Sequence, residues 1–170
     1  MAAVTTAGDY AWAAFGIRHT PVAGVLHGVL LMGTLGGFLG TQSRKAAMGA
    51  AGGLVAGALG ALAFYAMWST LGWWAMFAAW AMVWIGLAAF DGLVLRQSSA
   101  ESHTTHWPLR GLIAAVMGGA AFYAVSGVWT THAQSPNYGW HFVAWIIAWW
   151  PGLASLTFGA RPGRTQSHHP

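Results

Sequence analysis

The chain has 170 residues, of which 56% are apolar and 6% charged, with 12 Trp, 24 Gly and no Cys. A soluble domain of this size carries about 25% charged residues, so this composition cannot clothe a water-facing surface, and the expected solvent is lipid. Without Cys there are no disulfides, thiolate metal sites or thiol nucleophile. The basic pI of about 10.1 rests on seven Lys and Arg clustered at the ends of apolar segments, which is a topology signal rather than a nucleic-acid surface.

Residues 1–20 come first. They lack a basic stretch followed by an apolar core, so no ordinary signal peptide is expected. Within them, DYAWAAFGI (9–17) is too short to span a bilayer, and Tyr10, Trp12 and Phe15 suit a membrane interface.

Five apolar runs then reach the length of about 20 residues needed to cross hydrocarbon. They cover 21–41, 46–69, 73–95, 111–131 and 138–160. Each is expected to be a helix, because an open strand in lipid leaves backbone groups unpaired. The first two carry glycines at four-residue spacing, among them Gly33 with Gly37, Gly36 with Gly40, and Gly49, Gly53 and Gly57. Small residues on one face predict close packing of these two helices.

Arg44 and Lys45, Arg96 and Arg110, and Arg161 and Arg164 all fall in alternate connections, with Arg18 the one dissenter. The positive-inside rule then predicts an outside N-terminus and a cytoplasmic C-terminus in a multi-pass protein of a bacterial inner membrane. Residues 161–170 form a cytoplasmic tail.

Two near-copies run through the spans. GALGALAFYAMW (57–68) resembles AVMGGAAFYA (115–124), and WIGLAAF (84–90) resembles WPGLASL (150–156). The offsets are 58 and 66 residues. The expected fold is an all-α integral membrane bundle, with one leading helix and two helical hairpins related as parallel repeats.

Few residues can carry chemistry. Trp80 with Trp84, and Trp145 with Trp149, sit one helical turn apart near mid-span in the two copies. They face lipid or a neighbouring subunit, or else wall a pocket for a flat pigment, quinone or haem. His27, His132 and His141 lie toward the outer ends of three spans and could converge to hold copper or haem iron. Alternatively they are solvated or bonded to backbone. His103 and His106 stand at H-x-x-H spacing in an inner loop, without a third ligand. Asp91 is the only acid assigned to a span; its closeness to Arg96 suggests an ion pair, and the alternative is a proton or cation role. The segment LHGVLLMGTLGGFLGT (26–41) is similar, over fewer than 20 residues, to His-bearing helices of bacterial haem–copper membrane proteins. Its spacing from His27 to Gly-Phe-Leu-Gly-Thr departs from theirs, and the chain is not assigned to that family.

No H-E-x-x-H, P-loop or G-x-S-x-G is present. A retinal Schiff base is excluded because the one Lys, Lys45, sits at a helix end. Small size, minimal loops and scarce reactive groups favour a non-catalytic accessory subunit of a respiratory, photosynthetic or oxidase-type complex, with the bilayer and other membrane subunits as partners. The alternatives are a haem- or copper-binding redox or sensor protein, and a transporter or channel for a small neutral solute.

Overall fold

A computed structural model describes residues 1–16, 20–96, 106–127 and 137–157. Among them are six α-helices and no strand. They are α1 (Ala2–Phe15), α2 (Pro21–Thr41), α3 (Ala46–Leu71), α4 (Ala75–Phe90), α5 (Trp107–Val125) and α6 (Tyr138–Thr157). The predicted 161–170 tail, His132 and His103 lie outside the described residues.

Local sequence sets the helix ends. Thr20 is extended and Pro21 opens α2, where its missing N–H and fixed φ suit the first turn. Gly72, at φ 53°, ends α3 and turns the chain into α4 through one 3₁₀ turn. The end of α4 widens into a π-turn, Asp91–Leu95, which re-aims Asp91 toward neighbouring helices. α5 begins at Trp107, four residues before the apolar run starts, because Pro108 is tolerated in its first turn. α6 continues through Pro151.

Three stretches are long and apolar enough to cross a membrane: Pro21–Thr41, the 50-residue Ala46–Leu95 that holds both α3 and α4, and Trp107–Val125. α6 is not among them, because its aromatic-rich sequence carries His141 and Pro151 among the apolar residues.

α3 packs between α2 and α4, α5 between α4 and α6, and α1 lies along α6 and reaches α2. α2 and α3 meet at glycines, as their spacing predicts. A Cβ on Gly36 would stand 2.9 Å from the Gly53 Cα, and one on Gly49 would stand 2.8 Å from the Gly40 Cα. Such contact is closer than real Cβ atoms allow, so backbone packs directly on backbone.

The segment expected at the membrane interface forms α1, which runs antiparallel to α6. Thr5 pairs with Trp149, Asp9 with Trp145 and His141, and Tyr10 with Tyr138. The described cations Arg44, Lys45, Arg96 and Arg110 all lie at the end of the bundle where α2 finishes and α5 starts. Large apolar side chains such as Leu26, Leu30, Phe38, Leu62 and Ile146 point outward and are exposed.

Candidate functional site: an aromatic cavity with one carboxylate

Helical periodicity puts residues four apart on one face. On α6 this aligns His141, Trp145 and Trp149; on α1 it aligns Thr5 and Asp9. The two rows interlock. The Trp149 indole donates to Thr5 Oγ1 at 3.1 Å, and the Trp145 indole donates to Asp9 Oδ2 at 2.7 Å. His141 Nδ1 lies 3.1 Å from the same oxygen. The Thr5 hydroxyl in turn donates to the Met1 carbonyl at 3.0 Å. Hydrogen bonds to a charged group contribute about 1.5–3 kcal/mol each, so these bonds set the position of α1.

Beside them, aromatic rings from three helices meet. Trp80 of α4 stands 4.8 Å from Trp149 and 5.1 Å from Phe122 of α5. Trp84 is 5.8 Å from Trp149, and Phe122 is 6.0 Å from Trp145. Offset and edge contacts of this kind add about 0.5–1.5 kcal/mol per pair beyond the area they bury.

Above this cluster lies a cavity of about 590 Å³, within the size range of small-molecule sites. α1 contributes Asp9 and Trp12, α2 contributes His27 and Met32, and α3 contributes Tyr65 and Trp68. Ten of the lining side chains are aromatic and one is a carboxylate; among the described residues, no Lys or Arg lines it.

The sequence singled out seven residues for this region. Trp80, Trp145 and Trp149 line the cavity, and so do His27 and His141. The four Trp turn inward onto one another rather than outward. Trp84 does not line the cavity: it is fully buried beneath it. Its indole fills the space left by Gly118 and Gly152, and among the described residues its Nε1 has no hydrogen-bond partner. His27 packs against Trp12, with ring centroids 4.8 Å apart, and Gly8 leaves room for the imidazole. Among the described residues, no three His, Asp or Glu side chains are grouped to hold a metal ion, and His132 lies outside those residues.

Asp9 was missed. Local sequence puts it in a short interfacial stretch and leaves Asp91 as the only acid within a span. The signal was present: an acid four residues after Thr5, in a run with helical spacing, can bond two successive turns of a facing helix.

Asp91 belongs to a different site, at the opposite end of the bundle. It is 1% exposed; its Oδ2 accepts from Arg96 Nε at 2.8 Å and lies 3.6 Å from Arg110. Arg110 also donates to the Leu156 carbonyl, Arg96 to Gln42, and Lys45 to the Val94 carbonyl. The charges are spent on tying helix ends together.

No family model, no curated protein and no solved structure matches this chain.

Proposed function

We propose that this is an integral membrane protein that binds an aromatic small molecule in the cavity between α1, α2, α3, α4 and α6. The observation that carries this reading is the cavity itself, walled by Trp and furnished with one fixed cluster of polar atoms around Asp9. Pockets that orient ligands combine an apolar wall with a few placed polar groups in this way. Among the described residues, no side chain lining the cavity has the arrangement of a nucleophile with its base, so binding, transport or sensing fits better than covalent chemistry.

The membrane setting is supported by the three long apolar stretches and by outward-facing Leu and Phe on helices that are apolar on all sides. Cations gathered at one end support a cytoplasmic position for that end, and on that orientation the cavity opens in the outer half of the bilayer. On this reading α1 dips into the bundle from the outer side as a short helix of 14 residues, too short to cross.

Two further features favour a duplicated origin. Buried Gly53, Ala56, Gly57 and Gly60 of α3 recur 58 positions on as buried Gly111, Ala114, Ala115 and Gly118 of α5. The Tyr of each FYA copy also bonds the start of the preceding helix: Tyr65 donates to the Thr20 carbonyl at 3.4 Å, and Tyr123 donates to the Trp73 carbonyl at 3.0 Å.

Native mass spectrometry of the protein released from detergent tests the proposal, together with intrinsic tryptophan fluorescence. The expected result is a co-purifying small molecule, or saturable quenching by aromatic probes, that Trp149→Ala weakens. Identical behaviour of the two proteins with every probe would count against a cavity ligand.

A further inference from the structure

We infer that the ligand of this cavity is a neutral aromatic compound bearing a carbonyl oxygen, an aryl ketone or a quinone, and that the spare N–H groups of Trp80 and His27 receive that oxygen. The inference rests on the cavity being a ligand site, and three observations on the hydrogen-bonding groups of its wall carry it.

First, the wall is rich in donors. Trp12, Trp68, Trp73, Trp80, Trp145 and Trp149 line it, and an indole N–H donates but never accepts. On α6 these donors are already engaged, Trp145 with Asp9 and Trp149 with Thr5. The other four indoles have no hydrogen-bond partner among the described residues. Trp68 and Trp73 are exposed, but Trp80 is buried, at 8% exposure. Its Nε1 is not sealed in by packing as the Trp84 Nε1 is, and the space that Trp80 lines is the cavity.

Second, α2 brings a further donor to the same space. His27 lines the cavity and packs its ring against Trp12, and among the described residues it has no hydrogen-bond partner. A neutral imidazole donates from one nitrogen and a protonated one from both. His27 therefore offers at least one N–H in either state.

Third, acceptors are scarce. Among the described residues, no Ser, Thr, Asn, Gln or Glu lines the cavity. Asp9 accepts from Trp145 and lies against His141 on the α6 side, and backbone carbonyls inside α2, α3 and α4 accept from their own helices. A hydrocarbon ligand would bury the Trp80 N–H unmet, and leaving a buried donor unmet is costly. An aryl alcohol would add another donor to a wall already short of acceptors. A carbonyl oxygen has two lone pairs and no proton, and the flat ring that carries it suits the Trp wall.

The test uses fluorenone, fluorene and fluorenol, which share one fused-ring frame and differ in C=O, CH2 or CH–OH at a single position. Each is titrated calorimetrically into the full chain in a non-ionic detergent, with partition into protein-free micelles subtracted. The expected result is that fluorenone binds at least about fivefold tighter than fluorene, a difference of about 1 kcal/mol, and no more weakly than fluorenol. Trp80→Phe keeps a ring but removes the donor, and should cut the ketone-to-hydrocarbon ratio to about twofold or less; His27→Phe should lower it as well. Trp149→Phe, whose native indole serves Thr5, should keep it. Equal affinity for fluorenone and fluorene, tighter binding of fluorenol, or a ketone preference that survives in both Trp80→Phe and His27→Phe overturns the carbonyl inference and leaves the cavity reading standing. Saturable binding of none of the three overturns both. Should Trp80→Phe fail to fold, His27→Phe and the ratio in the unaltered chain decide the point.

Discussion

The Asp9 carboxylate and the Trp145 indole, 136 positions apart in the chain, meet at 2.7 Å. This contact joins the first described helix to the last and sets one polar group into an aromatic cavity. It makes α1 part of the site's wall rather than a lead-in to the bundle. Nearby, Thr5 and Trp149 repeat the arrangement one helical turn deeper.

Removing the Asp9 acceptor should therefore loosen α1. Asp9→Ala removes the acceptor that Trp145 and His141 share, and a hydrogen bond to a charged group contributes about 1.5–3 kcal/mol. The absence of native Cys allows a clean readout. A cysteine at Ala13, which lines the cavity from α1, should react with a soluble maleimide faster in the Asp9→Ala background than in its absence. Equal labelling rates would show that α1 is held by something other than Asp9.

The two Trp-x-Gly copies should respond differently to the same substitution. A Cβ on Gly152 would lie against the Trp84 ring, 2.6 Å from Cη2, whereas one on Gly86 meets only the Ala56 Cβ at 3.9 Å. Gly152→Ala forces the fully buried Trp84 to shift, and overpacking of this kind costs about 1–3 kcal/mol. Gly86→Ala should leave the thermal midpoint in detergent within experimental scatter or raise it slightly, since Ala is the better helix former. A Gly152→Ala protein as heat-stable as its parent would mean that Trp84 has room the packing does not show.

This contrast also explains what could and could not be read from the sequence. The helices were legible because their apolar runs are long and their punctuation is strong: Pro21, Gly72 and Pro108 each mark a start or stop. The α2–α3 contact was legible because small residues at four-residue spacing admit few other uses. The register of the second copy was harder. The sequence pairs Trp84 with Trp150, yet Trp84 is fully buried and Trp150 is 62% exposed. The inward-facing partner of Trp84 is Trp149, one residue away, because α6 must also present His141 and Trp145 to α1. Asp9 was only half legible: its spacing from Thr5 marks a polar face on α1 but not what that face meets. Its partners lie on the last described helix, and local spacing carries no information about so distant a contact.

At the other end, the Asp91 cluster should behave as a structural clamp. Asp91→Ala leaves Arg110 buried beside a lost partner, and breaking a buried ion pair in this way costs about 3–5 kcal/mol. Replacing both charges, as Asp91→Leu with Arg110→Met, should recover most of that loss, because an apolar pair of similar volume avoids the desolvation of both ions. Thermal unfolding of the two single variants and the double variant forms the required cycle. Tryptophan quenching by aromatic probes at the distant cavity should be unchanged in any variant that remains folded. A double variant no better than Asp91→Ala would argue instead that the charge itself is needed.

Orientation gives the last prediction. Arg44 lies in the turn between α2 and α3, and Trp74 lies in the turn between α3 and α4, at opposite ends of α3. Loops rich in Lys and Arg stay on the cytoplasmic side. In the Cys-free chain expressed in bacterial cells, Trp74→Cys should therefore react with a membrane-impermeant maleimide added outside, while Arg44→Cys should react only after the cells are opened. The same experiment locates the cavity, whose lining includes Trp73 and Trp68 near the Trp74 end. The reverse labelling pattern would turn the cavity toward the cytoplasm, and the ligand would then be drawn from that side. Labelling of both sites in intact cells would argue against a membrane-spanning α3.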